Sequence, residues 1–335
     1  MNEITLEPEE AVNDFLEEKK TEVAKSSWRN YKYPLGYLVQ FCDEQDITHI
    51  GDITGYDLKK FKTQRRKDGI NNVTLYNNLS VIRVFLQWCE EAQLLKQDFH
   101  KLVQLPPIDD GEIVSDDKLE LDEVENVLSY LYKFEYATRR HAVFQLMWHT
   151  CIRMGTVMAL DLEDYLPKKQ LLRIRHRPES DTPLKNKSDA ERKVNLGDDI
   201  CEVLDDYIDV HRVDTTDEYG REPLFTTPTR RLYDTVLRKD MYAITRPCAI
   251  GKECPDDRDL DECEATVKKK ASKCPFSISP HPLRRSAITY HLNRNAPKEH
   301  VSERADVSVS VLEKHYDART EDERAAGRKQ ILDKL

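Results

Sequence analysis

The sequence predicts a mainly helical α+β protein in two parts, with one small β-hairpin or sheet in the second part. Three observations carry this. Apolar residues recur at helical spacing along most of the chain, glycine is scarce (10 of 335 residues), and charged residues make up 34%, the composition of well-solvated helices. Only two short stretches, 170–175 and 191–196, read as strands. Leu105-Pro106-Pro107-Ile108-Asp109-Asp110-Gly111 has the composition of a linker. A chain of this length then falls into two domains, 1–105 and 115–335, joined over 106–114.

Residues 1 to 105 read as helices throughout. Pro8 suits the first position of a helix to about Val23, in which Ala11, Val12, Phe15 and Val23 lie on a rough helical period. Ser27 caps a second helix carrying Tyr31, Leu35, Leu38, Val39 and Phe41. Thr54 begins a third, over 56–67, whose exposed face gathers Lys59, Lys60, Lys62, Arg65, Arg66 and Lys67; Gly69 and Asn71-Asn72 break it. The fourth, 74–91, has Leu75, Leu79, Ile82, Val84, Phe85 and Trp88 as an apolar stripe. In the second part, 121–134 and 141–151 read as helices. The two strands follow, with the loop 182–187 between them. Residues 198–213 form a helix packing Val203, Leu204, Tyr207 and Ile208. Pro223-Leu224-Phe225 is a short buried strand, Thr229 caps a helix over 230–245, and a charged helix over 321–335 ends the chain.

The stretch 281–316, HPLRRSAITYHLNRNAPKEHVSERADVSVSVLEKHY, organises the second part. His281 and Arg284 are three apart, so on a helix they share a face and converge on one anion. A helix starting near Pro282 adds its positive end. Arginine holds phosphate bidentately, and histidine changes protonation near neutral pH. Tyr316 sets a phenol among polar groups, although a tyrosine at helical spacing is commonly a core or surface residue. Upstream, Thr150-Cys151-Ile152-Arg153-Met154-Gly155 precedes Asp161-Leu162-Glu163-Asp164.

Together these motifs resemble the tyrosine recombinase (phage integrase) family: T-x-x-R-x-G, then H-x-L-R-R, then the tyrosine. The chain looks most like integrases of halophilic archaea. The resemblance implies a helical SAM-like core-binding domain that clamps DNA, followed by a tyrosine-recombinase catalytic domain. Phosphate contacts then fall to Lys59, Lys60, Arg65, Arg66 and Lys67, the alternative being an ordinary solvated helix face. The catalytic set is Arg153, Lys185, His281, Arg284 and Tyr316. Tyr316 attacks a DNA phosphodiester, giving a 3′-phosphotyrosine. Arg153 and Arg284 neutralise the non-bridging oxygens, His281 aids proton transfer, and Lys185 protonates the 5′-hydroxyl, with Lys187 its close rival. The chemistry needs no cofactor. The expected partners are double-stranded DNA and further copies of the chain, as a tetramer. Two positions depart from the family pattern. Thr156 stands where an acidic residue usually supports the arginine, so that support comes from elsewhere. Val307 stands where a further His or Trp precedes the tyrosine by nine residues; His291, His300 or His315 replaces it, or the activity does without it. A tyrosine-type topoisomerase and a non-catalytic DNA-binding regulator on the same scaffold are the competing readings.

The formal net charge of −10 argues against a simple nucleic-acid binder. The acid, however, is concentrated in segments such as 7–18, 109–123 and 256–264. An acidic surface around basic patches is an adaptation to high salt, where counterion release drives DNA binding weakly. No segment approaches the roughly 18 apolar residues of a membrane span, and the acidic N-terminus lacks a signal-peptide core, so a cytoplasmic protein is expected. Its eight cysteines are then thiols or metal ligands rather than disulfides. Cys248, Cys254, Cys263 and Cys274 fall in one polar insertion, 248–274. Four thiolates can close a structural zinc site there, although the spacings lack C-x-x-C knuckles and free thiols are the alternative. Cys42, Cys89 and Cys151 sit on apolar helix faces, as core.

Overall fold

The computed structural model describes residues 5–23, 25–109, 119–294 and 296–316, with 321, 325 and 329 singly. The chain divides into two compact units, Met1–Ser115 and Asp116–Leu335. Residues 110–114 of the expected linker and nearly all of the expected terminal helix lie outside the described residues.

The first unit is four helices, α1 (Pro8–Glu22), α2 (Lys25–Glu44), α3 (Gly55–Lys67) and α4 (Asn72–Glu91). Pro8 opens α1, with Glu9 and Glu10 in its first turn and Lys19 and Lys20 in its last, matching the helix dipole at both ends. Phe15 is fully buried and meets Tyr31, Phe85 and Trp88 edge-on at 5.6, 5.5 and 5.8 Å, a favoured aromatic arrangement. The Trp28 indole donates to the Leu16 carbonyl at 2.8 Å, pinning α2 to α1. Thr54 and Asp57 form a capping box on α3. The Asn71 side chain accepts from Thr74 N–H at 2.7 Å, so α4 starts two residues before the expected point. Leu75, Leu79, Ile82, Phe85, Leu86 and Cys89 form the buried face of α4, but Val84 is exposed. Nine residues from Leu75 is two and a half turns, which puts Val84 on the opposite side.

The second unit has helices α5 (Leu121–Phe134), α6 (Arg139–Thr150) and α7 (Met154–Ala159), then strands β1 (Tyr165–Leu166), β2 (Leu171–Ile174) and β3 (Arg192–Asn195). The sheet is antiparallel in the order β1-β2-β3, with Leu172 opposite Val194. After it come α8 (Asp198–Asp206), α9 (Asp234–Ile244), α10 (Pro280–Asn293), α11 (Lys298–Ala305) and α12 (Val309–His315). Helix α6 is buried nearly all round and packs against α5, α8, α9 and α10.

In the first unit α2 starts at Lys25, so Ser27 lies inside the helix and does not cap it, and in the second unit several sequence expectations change. β1 is too short to show alternation and was not expected. The helix from Asp198 widens at Tyr207–His211 into a π-turn, where Arg212 N–H reaches back five residues to the Tyr207 carbonyl at 2.7 Å. Leu224 and Phe225 are buried, but pairing there is one bridge between Asp161 and Pro223. Residues 226–231 close a turn, with Thr227 N–H on the Arg230 carbonyl at 2.7 Å, so α9 starts at Asp234 and not at Arg230. Beside this turn, Asp161, Asp164 and Asp217 are interleaved with Arg177, Arg221 and Arg231. Arg231 bridges Asp161 (2.5 Å) and Asp217 (2.8 Å), and Arg177 binds Asp164 at 2.8 Å. Among the described residues no helix is long and apolar enough to cross a membrane.

Emptying the aromatic cluster should be costly. Phe15→Ala is expected to lower unfolding stability by about 3–5 kcal/mol, while Val84→Ala stays within about 0.5 kcal/mol of wild type; urea unfolding of the two variants measures the contrast.

Candidate active site

Helix α10 begins with Pro280 and Pro282 in its first turn, where a missing N–H costs nothing. It carries His281 and, one turn on, Arg284. Arg284 is 1% exposed. Its Nη1 donates to the Cys151 carbonyl at 2.5 Å, while Nε and Nη2 have no hydrogen-bond partner. Burial first, and then the charge of Arg153, push its pKa down. The T-x-x-R turn explains the juxtaposition. Cys151 caps the end of α6 in the left-handed region (φ 56°), and Arg153 is the residue from which α7 starts. The turn therefore offers a carbonyl and a guanidinium to the same space.

Tyr316 closes α12, which Ser308 caps through Val311 N–H at 3.3 Å. The Thr289 hydroxyl on α10 donates to the Tyr316 carbonyl at 2.9 Å. The tyrosine is thus tied to the helix that bears His281 and Arg284. Its ring centre lies 5.8 Å from the Arg284 guanidinium carbon and 6.1 Å from the His281 ring, edge to face. By surface area His281 is exposed, yet its inner side is crowded. Desolvation there, and then Arg284, Arg285, Lys185 and Arg153, hold its pKa below the usual histidine value.

Lys185 is exposed on the segment between β2 and β3, but that segment is fastened at several points. Arg177 and Thr182 form a bridge, Arg221 donates to Thr182 at 2.9 Å, and Leu184 N–H donates to His176 Nδ1 at 2.9 Å. Leu184 and Ala190 are buried. Lys187 lies beyond, opening a short 3-10 turn (Lys187–Ala190) at φ 53°. The structure thus brings Arg153, Lys185, His281, Arg284 and Tyr316 around one locus.

Two residues of this locus were missed from sequence. Asp306 accepts from Arg153 Nη1 through its carboxylate and from Nη2 through its main-chain carbonyl. Its other carboxylate oxygen accepts from Asn186 at 3.0 Å. Here is the acidic partner that the buried Thr156 does not provide. It sits in a left-handed turn (φ 53°) just ahead of Val307. Arg192 is the second. Its Nε donates to the Arg304 carbonyl at 3.1 Å and its Nη2 is unpartnered. Burial pushes its pKa down to about 10, against the pull of Asp306 and with the help of Arg284, Arg153 and Arg304. The signal was present: Arg192 and Val194 are two apart on β3 and share the inward face.

The other candidates distribute unevenly. Val307 is buried. His291 Nε2 lies 3.1 Å from the His149 carbonyl, and His300 lines an open cleft of about 730 Å³ with Arg192, Arg304 and Ser308. The His315 side chain is outside the described residues. In the first unit, Lys59, Arg66 and Lys67 are exposed on α3. Lys60 reaches Gln45 and Asp57 and lies over the Tyr56 ring. Arg65 corrects the expectation of an exposed basic face. It is 7% exposed, paired with Asp68 and stacked 3.7 Å from the Tyr37 ring centre, because the face of α3 bearing Leu58 and Phe61 turns it inward.

A family model described as the phage integrase family matches residues 117–320, and one for the phage integrase N-terminal SAM-like domain matches 12–93. The chain belongs to the phage integrase family. Its activity class follows: it is an enzyme of site-specific DNA recombination by the tyrosine mechanism. The tyrosine recombinase XerD of Staphylococcus epidermidis is 23% identical over 290 residues, spanning 85% of this chain and 86% of that one. XerD of Staphylococcus saprophyticus matches to the same extent. Among solved structures, the Tn1549 transposon integrase in complex with a circular intermediate DNA has a TM-score of 0.67 at 10% identity, over 97% of this chain and 99% of that chain. A lambda integrase dimer bound to a COC′ core site has a TM-score of 0.62 at 10% identity, over 96% and 77%. At these identities the likeness is one of fold.

Asp306→Asn keeps the left-handed turn and the main-chain carbonyl but removes the charge facing Arg153. A hydrogen bond to a charged group is worth about 1.5–3 kcal/mol. The recombinase variant should therefore cleave DNA roughly ten- to a hundredfold more slowly with KM little changed, read in single-turnover assays across DNA concentrations.

Proposed function

We propose that this recombinase cuts and rejoins DNA strands through a 3′-phosphotyrosine formed on Tyr316. The observation that carries the reading is Arg284, a buried guanidinium with two unpartnered nitrogens beside a tyrosine ring. Unpaired buried donors are costly, and a phosphodiester's non-bridging oxygens fit what these lack. Arg284 and Arg153 hold those oxygens as negative charge builds at phosphorus. The Tyr316 oxygen forms the new bond to phosphorus and its proton passes to His281, which its depressed pKa leaves neutral at pH 7. The phosphorus–O5′ bond breaks, and the departing oxygen takes a proton from the Lys185 ammonium. A 5′-hydroxyl from a second strand reverses the steps, with no net loss of phosphodiester bonds. The exposed Lys59, Arg66 and Lys67 serve as phosphate contacts, joined by Lys60, with Arg65 holding α3 from behind. Exchange needs two duplexes cut together, so the partners are double-stranded DNA and further copies of the chain, assembled as a tetramer. The compartment proposed with it is the cytoplasm, where chromosomal DNA is reached.

Covalent trapping tests the reading. On nicked duplexes carrying a site it binds, wild type should give a protein–DNA adduct on denaturing gels and Tyr316→Phe none. Absence of any adduct on bound sites would move the chain to a non-catalytic regulator. Lys185→Ala should lose cleavage on ordinary DNA and recover it on a 5′-phosphorothiolate, because a thiolate leaves without a proton. Lys187→Ala should retain both.

The proton acceptor sets the acid limb of the pH profile. A lowered His281 pKa means that kcat/KM, which reports the free enzyme, should begin its acid-side fall at a lower pH than an unperturbed imidazole would impose. His281→Gln should remove that limb.

A further inference from the structure

The insertion between α9 and α10 lacks the usual means of holding a fold together. Between 251 and 275 the structure has only short 3-10 turns, such as Glu264–Thr266 and Lys268–Lys273. The side chains there that are turned from solvent are Cys254, Cys263, Cys274, Ala265 and Ala271; all the rest are exposed. A strongly charged segment therefore faces inward with its cysteines. Apart from Lys268, which reaches the buried Asp240 at 3.2 Å, its ion pairs, Glu264 with Lys270 and Lys273, and Asp256 with Arg258, have solvent-exposed side chains. Such pairs contribute little, and salt screens them. Two alanines cannot supply a core.

Cys248, Cys254, Cys263 and Cys274 nevertheless line one small cavity of about 20 Å³, with Arg246, Arg258, Leu260 and Phe276 among its other walls. That volume suits one small ion or water. None of the four is in a disulfide. Among the described residues no three His, Cys, Asp or Glu side chains already stand in coordination geometry, so the sulfurs line the cavity without closing on its centre.

We propose that Cys248, Cys254, Cys263 and Cys274 bind one zinc ion as four thiolates. Four thiols and Zn²⁺ give a tetrahedral complex of charge −2 and release four protons. The two arginines of the cavity wall offset that charge: Arg246, buried and anchored to the Ala265 carbonyl, and Arg258, which lines the same cavity and pairs with Asp256 at 2.6 Å. Four sulfurs leave no open position, so the metal is structural. Its two outer ligands are Cys248, just past the end of α9, and Cys274, seven residues ahead of His281. In between, Ser277 Oγ donates to the Cys274 carbonyl at 2.9 Å and Ile278 N–H to Thr245 Oγ1 at 3.0 Å. The ion fastens the chain that delivers His281 and Arg284 to the active site.

The test is metal content and geometry on the full chain. Protein purified from zinc-containing medium should carry about one zinc per chain. Cobalt exchanged into it should show sulfur-to-metal charge transfer and intense tetrahedral d–d absorption. Cys254→Ser and Cys274→Ser should lose the ion, and Cys201→Ala should keep it. Chelation of wild type should open 251–275, rich in lysine, to trypsin well before the rest of the second unit. Metal-free wild type that takes up no cobalt, a disulfide among the four cysteines, or one zinc retained in both serine variants would each overturn the proposal. The wild-type measurement decides even where a variant fails to fold.

Discussion

Arg284 is a guanidinium at 1% exposure that donates to the Cys151 carbonyl and faces Tyr316, and Arg153, Arg192 and Arg304 add like charge around it. Burying unpaired charge costs several kcal/mol, so something must hold this arrangement. The left-handed turn at Cys151 aims its carbonyl, Asp306 restrains Arg153 from the far side, and α10 delivers Arg284 from its second turn. Arg304 donates to the His149 carbonyl and to that of Asn195, tying α11 to α6 and β3. The second unit is folded around a concentration of positive charge that its own residues only partly satisfy. The phosphodiester of the proposed reaction would meet that deficit.

Much of this was readable in the sequence, and the failures have physical causes. That His281, Arg284 and Tyr316 lie together was legible because helical spacing and motif order are local properties, as were the Thr54 cap and the apolar face of α4. Asp306 was missed because its partner is 153 residues away. Only the packing of α11 and α12 against the turn after α6 makes it an arginine partner. Arg192 was hidden by its type: an arginine on a strand reads as solvated until the parity with Val194 is followed inward. Arg65 failed the other way, since stacking on Tyr37 and pairing with Asp68 drew in a charge that helical patterning had assigned to solvent. The late start of α9 arose because side-chain bonds from Thr227 stabilise a turn that competes with the helix.

Two populations of ion pairs coexist. Pairs on the helix surfaces, such as Lys20 with Glu17, are open to screening. The cluster of Asp161, Asp164 and Asp217 with Arg177, Arg221 and Arg231 is withdrawn from solvent and cross-linked, each arginine touching at least two carboxylates. Added salt affects the first population far more than the second. Salt can therefore loosen the exterior pairs of an acidic chain while this inner cluster, which includes the Arg221 that holds Thr182, stays fixed.

The segment between β2 and β3 spans 175–191, and a free loop of that size would let a lysine roam. Fastened at Thr182, Leu184, Asn186 and Ala190, it leaves Lys185 between two anchored neighbours. The ammonium's motion is reduced to the torsions of its own side chain. For the proton donor proposed at Lys185, this amounts to a high effective molarity, its translational freedom having been surrendered during folding and not at the moment of reaction. The same tethering confines its reach. Under the proposed chemistry, the anchored segment limits which phosphate the Lys185 ammonium can reach.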